Sequence, residues 1–173
     1  MDVKDYIRTI PDFPAKGVMF RDITTVMQDA DGFRLAIDEL QKLLSDIDFD
    51  VLVGIESRGF LFGAPIAYNL HKPFIPVRKK GKLPFDTVEQ EYSLEYGSAV
   101  IEMHSDAVKP GQRAVIIDDL IATGGTVAAA AKLVEKLGGT VEKAIFLIEL
   151  PELRGRELLK DYKVGSVLQF DGE

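Results

Sequence analysis

The sequence contains no cysteine and only two histidines. The absence of cysteine excludes a disulfide framework, a cysteine-based zinc site and a thiol nucleophile. His71 and His104 lie far apart in the sequence, so they do not give the ligand spacing of a zinc site. The chemistry of this chain must therefore rest on carboxylates, hydroxyls, cationic side chains and the backbone.

The sequence also lacks targeting signals and long apolar runs. Residues 1–6 are polar and acidic, without the basic and apolar regions of a secretory signal. No apolar run approaches the ~20 residues that are needed to span a bilayer. We therefore expect a cytoplasmic protein without a membrane partner.

Positive charge is in deficit, because 21 lysines and arginines stand against 28 acidic residues, for a net charge of −7. This balance argues against a nucleic-acid partner, since affinity for a phosphate backbone requires clustered cations. One basic cluster nevertheless occurs, at residues 78–82. On an acidic chain, a local cluster of this kind indicates a small anionic ligand.

Apolar runs typical of buried strands alternate with segments of helical spacing, in a chain that is 46% hydrophobic. This alternation predicts an α/β fold with a mainly parallel sheet flanked by helices. A long polar segment at 79–91 is typical of a lid or binding loop. Strands are predicted at 51–55, 74–78, 115–117, 144–150 and 164–170, a β-ribbon at 92–96 and 99–103, and helices at 3–10, 31–46, 60–70, from 127 onward and at 152–161.

Residues 115–126 carry the strongest functional motif. An apolar strand is predicted to end at the acidic pair Asp118 and Asp119, and a loop of small residues then leads into an alanine-rich helix. Free backbone N–H groups and the helix dipole favour a phosphate at such a helix start. The adjacent carboxylates suit sugar hydroxyls or a metal-bound polyanion. The motif therefore predicts a site for a phosphorylated sugar.

This motif resembles the phosphoribosyl-pyrophosphate signature of type I phosphoribosyltransferases. Four more segments resemble the adenine phosphoribosyltransferase family in order and spacing, so that the similarity covers nearly the whole chain. These segments are Phe13-Pro14-x-x-Gly17-x-x-Phe20-Arg21-Asp22-Ile23, Glu56-Ser57-Arg58-Gly59-Phe60, Arg78-Lys79-x-Gly81-Lys82-Leu83-Pro84 and Tyr92-Ser93-Leu94-Glu95-Tyr96-Gly97.

The resemblance implies a reaction in which adenine and phosphoribosyl pyrophosphate give AMP and pyrophosphate, within purine salvage. It also implies Mg²⁺, a homodimer, and a single domain over residues 1–173. About residues 1–30 of this domain would form a small N-terminal hood that binds the base, and a flexible lid loop would cover the site. Magnesium would arrive with phosphoribosyl pyrophosphate, and Asp118 and Asp119 would help to organise it directly or through water, with no direct protein ligand assigned.

The resemblance also assigns roles to single residues. Glu95, Arg58 and Lys82 would be catalytic, with Glu95 handling the proton of adenine. Asp118 and Asp119 would bind the ribose, although neighbouring strand residues point to opposite faces, so that only one should face the sugar squarely unless the strand has ended. A cis peptide is expected between Glu56 and Ser57. The remaining assignments are Ala122, Thr123, Gly124, Gly125 and Thr126 for the 5-phosphate, Ser57, Arg58, Gly59, Arg78, Lys79 and Lys82 for pyrophosphate, and Met19, Phe20, Arg21 and Leu120 for adenine.

Two alternatives share the sugar-phosphate motif. One is a guanine, hypoxanthine or xanthine phosphoribosyltransferase, and the other is a noncatalytic regulator that senses phosphoribosyl pyrophosphate. The regulator is disfavoured because the chain has no spare domain and is acidic. The sequence assigns no role to residues 85–87 at the tip of the lid.

Overall fold

A seven-stranded, mostly parallel sheet forms the centre of the protein, as seen in a computed structural model that describes residues 1–94 and 96–172. The strand order is β5-β6-β4-β3-β7-β8-β9. Strands β4, β3, β7, β8 and β9 run parallel, whereas β6 pairs antiparallel with both β4 and β5. The strands are β3 (Val51–Ile55), β4 (Phe74–Lys79), β5 (Thr87–Ser93), β6 (Ser98–His104), β7 (Arg113–Ile121), β8 (Thr140–Glu149) and β9 (Lys163–Gln169).

Helices cover both faces of this sheet, which confirms the predicted fold class. Residues of β3 and β7 alternate between two apolar cores, so Leu52 packs with the α2–α3 side while Val53 packs with the α4 side. A strand buried on both faces reads as a continuous apolar run, which explains the composition of β3. The helices are α1 (Thr24–Met27), α2 (Ala30–Lys42), α3 (Arg58–Leu70) and α4 (Gly125–Lys136).

A small two-stranded antiparallel sheet, formed by β1 (Arg8–Pro11) and β2 (Met19–Asp22), lies outside the main sheet. The predicted helix at 3–10 is wrong: a 3₁₀ turn covers Val3–Tyr6, and the chain then extends into β1. An eight-residue segment is too short for helical spacing to be decisive, and here pairing with β2 satisfies the backbone instead.

Two other elements differ from the prediction. The polar segment at 79–91 is shorter as a loop, because β5 begins at Thr87 and pairs along its whole length with β6. The predicted helix at 152–161 is instead a pair of 3₁₀ turns, Pro151–Leu153 and Gly155–Leu159, separated by Arg154 in a left-handed conformation with φ 57°. Within the described residues, no helix is both long and apolar enough to cross a membrane.

Candidate active site

The carboxyl ends of β3, β4 and β7 meet at one edge of the sheet, because the three strands are parallel neighbours. Ligands of open α/β sheets bind at this edge. The segments that follow these strands contain the residues predicted to bind pyrophosphate, ribose and phosphate. The topology therefore brings three of the predicted motifs together.

The predicted phosphate loop joins β7 to α4. Its central residue, Gly124, has φ 85° and precedes a helix whose first turn has no side-chain cap. The first N–H groups of α4 are consequently available to an anion. The loop encloses a cleft of about 110 Å³, which is lined by Asp118 and by Leu120, Ile121, Ala122, Thr123, Gly124, Gly125, Thr126 and Val127.

The acidic pair lies within β7 and not at its end, because the strand continues to Ile121. Asp118 lines the cleft, and its Oδ1 accepts a 2.8 Å hydrogen bond from the backbone N–H of Asp119. Asp119 is only 5% exposed, and its carboxylate forms a 2.9 Å ion pair with Arg58 Nε. Of the two carboxylates, the one at Asp118 thus faces the phosphate loop.

Burial strongly affects the first carboxylate of the pair. Desolvation, together with the neighbouring charge of Asp119, raises the pKa of Asp118 well above its ordinary value. The start of α3 approaches β7 closely because residue 59 is a glycine: a Cβ there would lie 3.2 Å from Asp118 Oδ1 and 2.9 Å from the carbonyl oxygen of Ile117. A cationic ligand in the cleft would favour the ionised form of Asp118.

The segment at 56–59 has the predicted cis peptide between Glu56 and Ser57. Glu56 Oε1 accepts a 2.5 Å hydrogen bond from the backbone N–H of Lys79 and lies 3.5 Å from Arg78 Nε. These contacts join the end of β3 to the end of β4. They hold Arg78 beside the segment that carries Arg58.

The lysines of the basic cluster face solvent, whereas its arginine is partly buried. Lys79 and Lys82 are exposed and form no ion pair with any described residue. Arg78 Nε is buried and has no hydrogen-bond partner within the described part of the chain. The site therefore presents positive charge that no described carboxylate fully neutralises.

The residues predicted to bind adenine lie partly on β2 and partly on β7. Met19, Phe20 and Arg21 are half-buried on β2, and Leu120 lines the cleft. Phe13 packs edge-on against Phe20, with 5.1 Å between the ring centroids.

The small sheet is fixed to the body of the protein by Arg21. This guanidinium lies 4.5 Å from the ring centroid of Phe170, and it also donates a 2.8 Å hydrogen bond to Thr9 Oγ1. Phe170 is buried just after β9, and its N–H donates to the carbonyl oxygen of Glu149. The position of β2 therefore depends on the far edge of the sheet.

Glu95, the predicted proton-handling residue, lies outside the described residues. Leu94 N–H donates a 2.9 Å hydrogen bond to the carbonyl oxygen of Gly97. The end of β5 leads toward the phosphate loop, since a Cβ on Gly125 would lie 3.7 Å from Tyr92 Cδ2 and 3.8 Å from the carbonyl oxygen of Ser93. The fourth motif thus approaches the start of α4.

The comparison with known proteins agrees with this geometry. A model of the phosphoribosyl transferase domain matches residues 28–171. A relative from Agathobacter rectalis named adenine phosphoribosyltransferase is 67% identical over 171 residues, covering 99% of this chain and 98% of its own. The chain belongs to the adenine phosphoribosyltransferase family.

Solved structures of this family share the whole fold. The crystal structure of adenine phosphoribosyltransferase from Thermoanaerobacter pseudethanolicus has a TM-score of 0.94 and 55% identity, covering 97% of this chain and 98% of its own. The Saccharomyces cerevisiae family member, complexed with D-2,5-dideoxy-2,5-imino-altritol 1,6-bisphosphate and adenine, has a TM-score of 0.90 and 38% identity, covering 95% and 96%. The type I phosphoribosyltransferase core is therefore established for this chain.

One part of the candidate site of this protein was not predicted from the sequence. Gly155, the first residue of the second 3₁₀ turn, lies directly behind the phosphate loop: a Cβ on Gly124 would lie 2.5 Å from its carbonyl oxygen. The sequence carried one usable signal, because a glycine within a predicted helix indicates a break or a close backbone approach.

Proposed function

We propose that this protein transfers the 5-phosphoribosyl group from phosphoribosyl pyrophosphate to adenine, giving AMP and pyrophosphate in purine salvage. The observation that carries the proposal is the uncapped start of α4 directly beside a carboxylate, with Arg58 and Arg78 gathered across the same edge of the sheet. This arrangement would provide neighbouring sites for the phosphate, the ribose and the pyrophosphate. The 67% identity over 99% of this chain to a relative named adenine phosphoribosyltransferase supports the choice of base.

The 5-phosphate would bind in the cleft formed by residues 122–126. Backbone N–H groups at the start of α4 would supply most of the hydrogen bonds, and the hydroxyls of Thr123 and Thr126 would add two more. Asp118 lines the same cleft and would accept hydrogen bonds from the ribose hydroxyls. The sugar would thereby be held at both its phosphate and its hydroxyl groups, as positioning catalysis requires.

Bond breaking in glycosyl transfer develops positive charge on the ribose and negative charge on the leaving group. The C1–oxygen bond to pyrophosphate breaks with its electron pair going to pyrophosphate, while a bond from adenine N9 to C1 forms. Arg58, Arg78, Lys79 and Lys82 would stabilise the departing pyrophosphate, with Ser57 and Gly59 contributing backbone and hydroxyl donors. The half-buried carboxylate of Asp118 would stabilise the cationic ribose.

Adenine would stack on Phe20 and be covered by Leu120, while the backbone of Met19 and Arg21 reads its edge. Adenine must also lose its imidazole N–H proton as the new bond forms. We assign this step to Glu95: adenine would react as its N7–H tautomer, with the free lone pair of N9 forming the bond to C1, and the N7 proton would pass to the Glu95 carboxylate.

Mg²⁺ is part of the proposal, and the donors fit it, because Asp118 offers hard oxygen atoms to the cleft and Asp119 adds a second carboxylate beside it. The ion would enter with phosphoribosyl pyrophosphate and contact these carboxylates through water. When bound, it would neutralise charge on the pyrophosphate. Among the described residues, no group of three or more histidine, aspartate and glutamate side chains could hold an ion by itself.

A homodimer in the cytoplasm completes the proposal. The exposed side chains of Leu61 (43%) and Tyr68 (86%) lie seven residues apart on one face of α3, which gives an apolar strip for a second copy. Light scattering during size-exclusion chromatography would test the dimer. Charged phosphorylated reactants do not cross membranes freely, which favours the cytoplasm, and cell fractionation would test this location.

The deciding experiment measures AMP formation from adenine and phosphoribosyl pyrophosphate, with and without Mg²⁺. We expect wild-type turnover, with large losses in the Asp118→Asn and Glu95→Gln variants. A parallel competition should include guanine, hypoxanthine and xanthine. Preference for one of these bases, or tight binding of phosphoribosyl pyrophosphate without turnover, would overturn the proposal.

A further inference from the structure

An ion pair between a buried carboxylate and a half-exposed guanidinium lies behind the phosphate loop, outside the cleft itself. Glu149 is 5% exposed at the end of β8, where it is the register partner of Ile121 on β7. Its carboxylate receives two hydrogen bonds from Arg156, from Nε at 2.7 Å and from Nη2 at 2.8 Å. Two-point arginine–carboxylate pairs of this kind fix orientation as well as distance.

Further hydrogen bonds make this pair rigid. Ser166 Oγ donates to Glu149 at 2.7 Å and Gln169 Nε2 donates at 3.1 Å, so β9 also holds the carboxylate. Arg156 Nη1 donates to the carbonyl oxygen of Val164 at 3.1 Å. The hydrogen bond from Arg156 is the largest cause that lowers the pKa of Glu149 to about 2, so the pair stays charged at every pH used for assays.

Gly155, the residue before Arg156, contacts the backbone of the phosphate loop. A Cβ on Gly155 would lie 2.5 Å from the carbonyl oxygen of Ala122, and a Cβ on Gly124 would lie 2.5 Å from the carbonyl oxygen of Gly155. The two backbones are therefore in direct contact, with no side chain between them. Any shift of Gly155 must be transmitted to residues 122–124.

We propose that Glu149 and Arg156 are positioning residues for the 5-phosphate loop, since their ion pair clamps Gly155 against the backbone of residues 122–124. Neither side chain lines the cleft, so neither would touch the substrate. The clamp selects the loop geometry in which the N–H groups at the start of α4 converge on a phosphate. This inference rests on the proposed function, because it takes the loop to be the 5-phosphate site.

The test compares Arg156→Gln with a matched control, Arg113→Gln. Arg113 makes the same two-point contact with Asp50, at 3.2 Å and 3.1 Å, but at the start of β7, the opposite end of the parallel strands. Calorimetry would measure the affinities of each protein for ribose 5-phosphate and for pyrophosphate. Thermal unfolding would be recorded alongside.

We expect Arg156→Gln to weaken ribose 5-phosphate binding by on the order of 10–100-fold, because the N–H groups of a displaced loop no longer converge on the phosphate, and a misplacement of about 1 Å can cost an enzyme on the order of 100-fold. Pyrophosphate binding should stay within twofold of wild type. Arg113→Gln should lower the melting temperature without changing the ratio of the two affinities. That ratio separates a positioning role from general destabilisation.

If Arg156→Gln does not fold, Glu149→Gln replaces it, since the amide keeps the shape and an acceptor oxygen. The same selective loss of ribose 5-phosphate affinity is then expected, to a smaller degree. An unchanged affinity ratio in the folded variant would overturn the inference while leaving the proposed function intact. Failure of wild-type protein to form AMP would instead count against the proposed function.

Discussion

A methyl group added to Gly124 should distort the phosphate loop from within. Gly124 has φ 85°, and an alanine in this left-handed region costs roughly 1–2 kcal/mol. The added Cβ would also lie 2.5 Å from the carbonyl oxygen of Gly155, whereas ordinary contact begins at 3.4 Å. The two backbones must therefore separate by about 0.9 Å, and overpacking of this kind typically costs about 1–3 kcal/mol.

A control glycine isolates the second contribution. Gly111 has φ 84°, but a Cβ there would meet no atom within 4 Å. Gly111→Ala should therefore lose only the roughly 1–2 kcal/mol of the backbone conformation, whereas Gly124→Ala should lose about 2–5 kcal/mol. Urea denaturation of both variants would measure these free energies of unfolding.

The kinetic consequence should be specific to one substrate. Since a shift of about 1 Å can lower catalytic efficiency by on the order of 100-fold, Gly124→Ala should reduce kcat/KM for phosphoribosyl pyrophosphate by up to that factor. The KM for adenine should change much less, and Gly111→Ala should retain wild-type kinetics. Equal unfolding free energies for the two variants, with an unchanged KM for phosphoribosyl pyrophosphate, would refute the contact between the loop and Gly155.

Three other changes should have separable effects. Burial raises the pKa of Asp118, so the folded state binds the carboxyl proton more tightly than the unfolded state. Stability therefore falls as pH rises from the ordinary carboxyl pKa through the raised pKa of the folded state. Asp118→Asn should raise the melting temperature at pH 7 but not below about pH 4, while turnover falls by on the order of 100-fold. Hydrogen bonds from Thr24 and then Arg8 lower the pKa of Asp22 to about 2, which stabilises the fold above the ordinary carboxyl range; Arg8→Ala should move acid unfolding, followed by circular dichroism, to higher pH, with a loss of about 0.5–1 kcal/mol at pH 7 because Arg8 is exposed. Phe20→Ala should raise the KM for adenine by on the order of tenfold, since stacking of one base contributes roughly 1–3 kcal/mol; an unchanged KM would refute the stacking role.

The fold could be predicted from the sequence wherever burial dictates residue type. The runs that became β3 and β8 are continuous and apolar because both their faces are covered, so their positions were predicted to within a few residues. The edge strand β5 was predicted as a lid because its exposed face is polar, and only its last residues show an alternating pattern. β1 and most of β5 form because they pair with the neighbouring strands β2 and β6, and this pairing is not visible in the local sequence pattern.

The candidate site divides in the same way. The positions of the phosphate loop and the acidic pair follow from a strand–loop–helix pattern that is local in the sequence. The pairing of Arg58 with Asp119, and the hydrogen bond from Lys79 to Glu56, join segments separated by more than twenty residues. Gly155 is likewise more than twenty residues away in the sequence from the loop that it contacts. Such contacts depend on how helices pack on the sheet, so motif spacing alone could not supply them.

The charges around Asp119 suggest how ribose and pyrophosphate binding would be coupled under the proposed function. Arg58 is the counterion of a carboxylate that is almost fully buried, while its own side chain is 49% exposed. Pyrophosphate arriving at the exposed side of Arg58 would compete with Asp119 for the same guanidinium. A carboxylate that loses part of its counterion in a buried site gains affinity for another cation. Asp119, next to the cleft-lining Asp118, would then add most to the negative charge beside Mg²⁺ and the cationic ribose when the leaving group is bound, so that binding at one end of the substrate prepares the other.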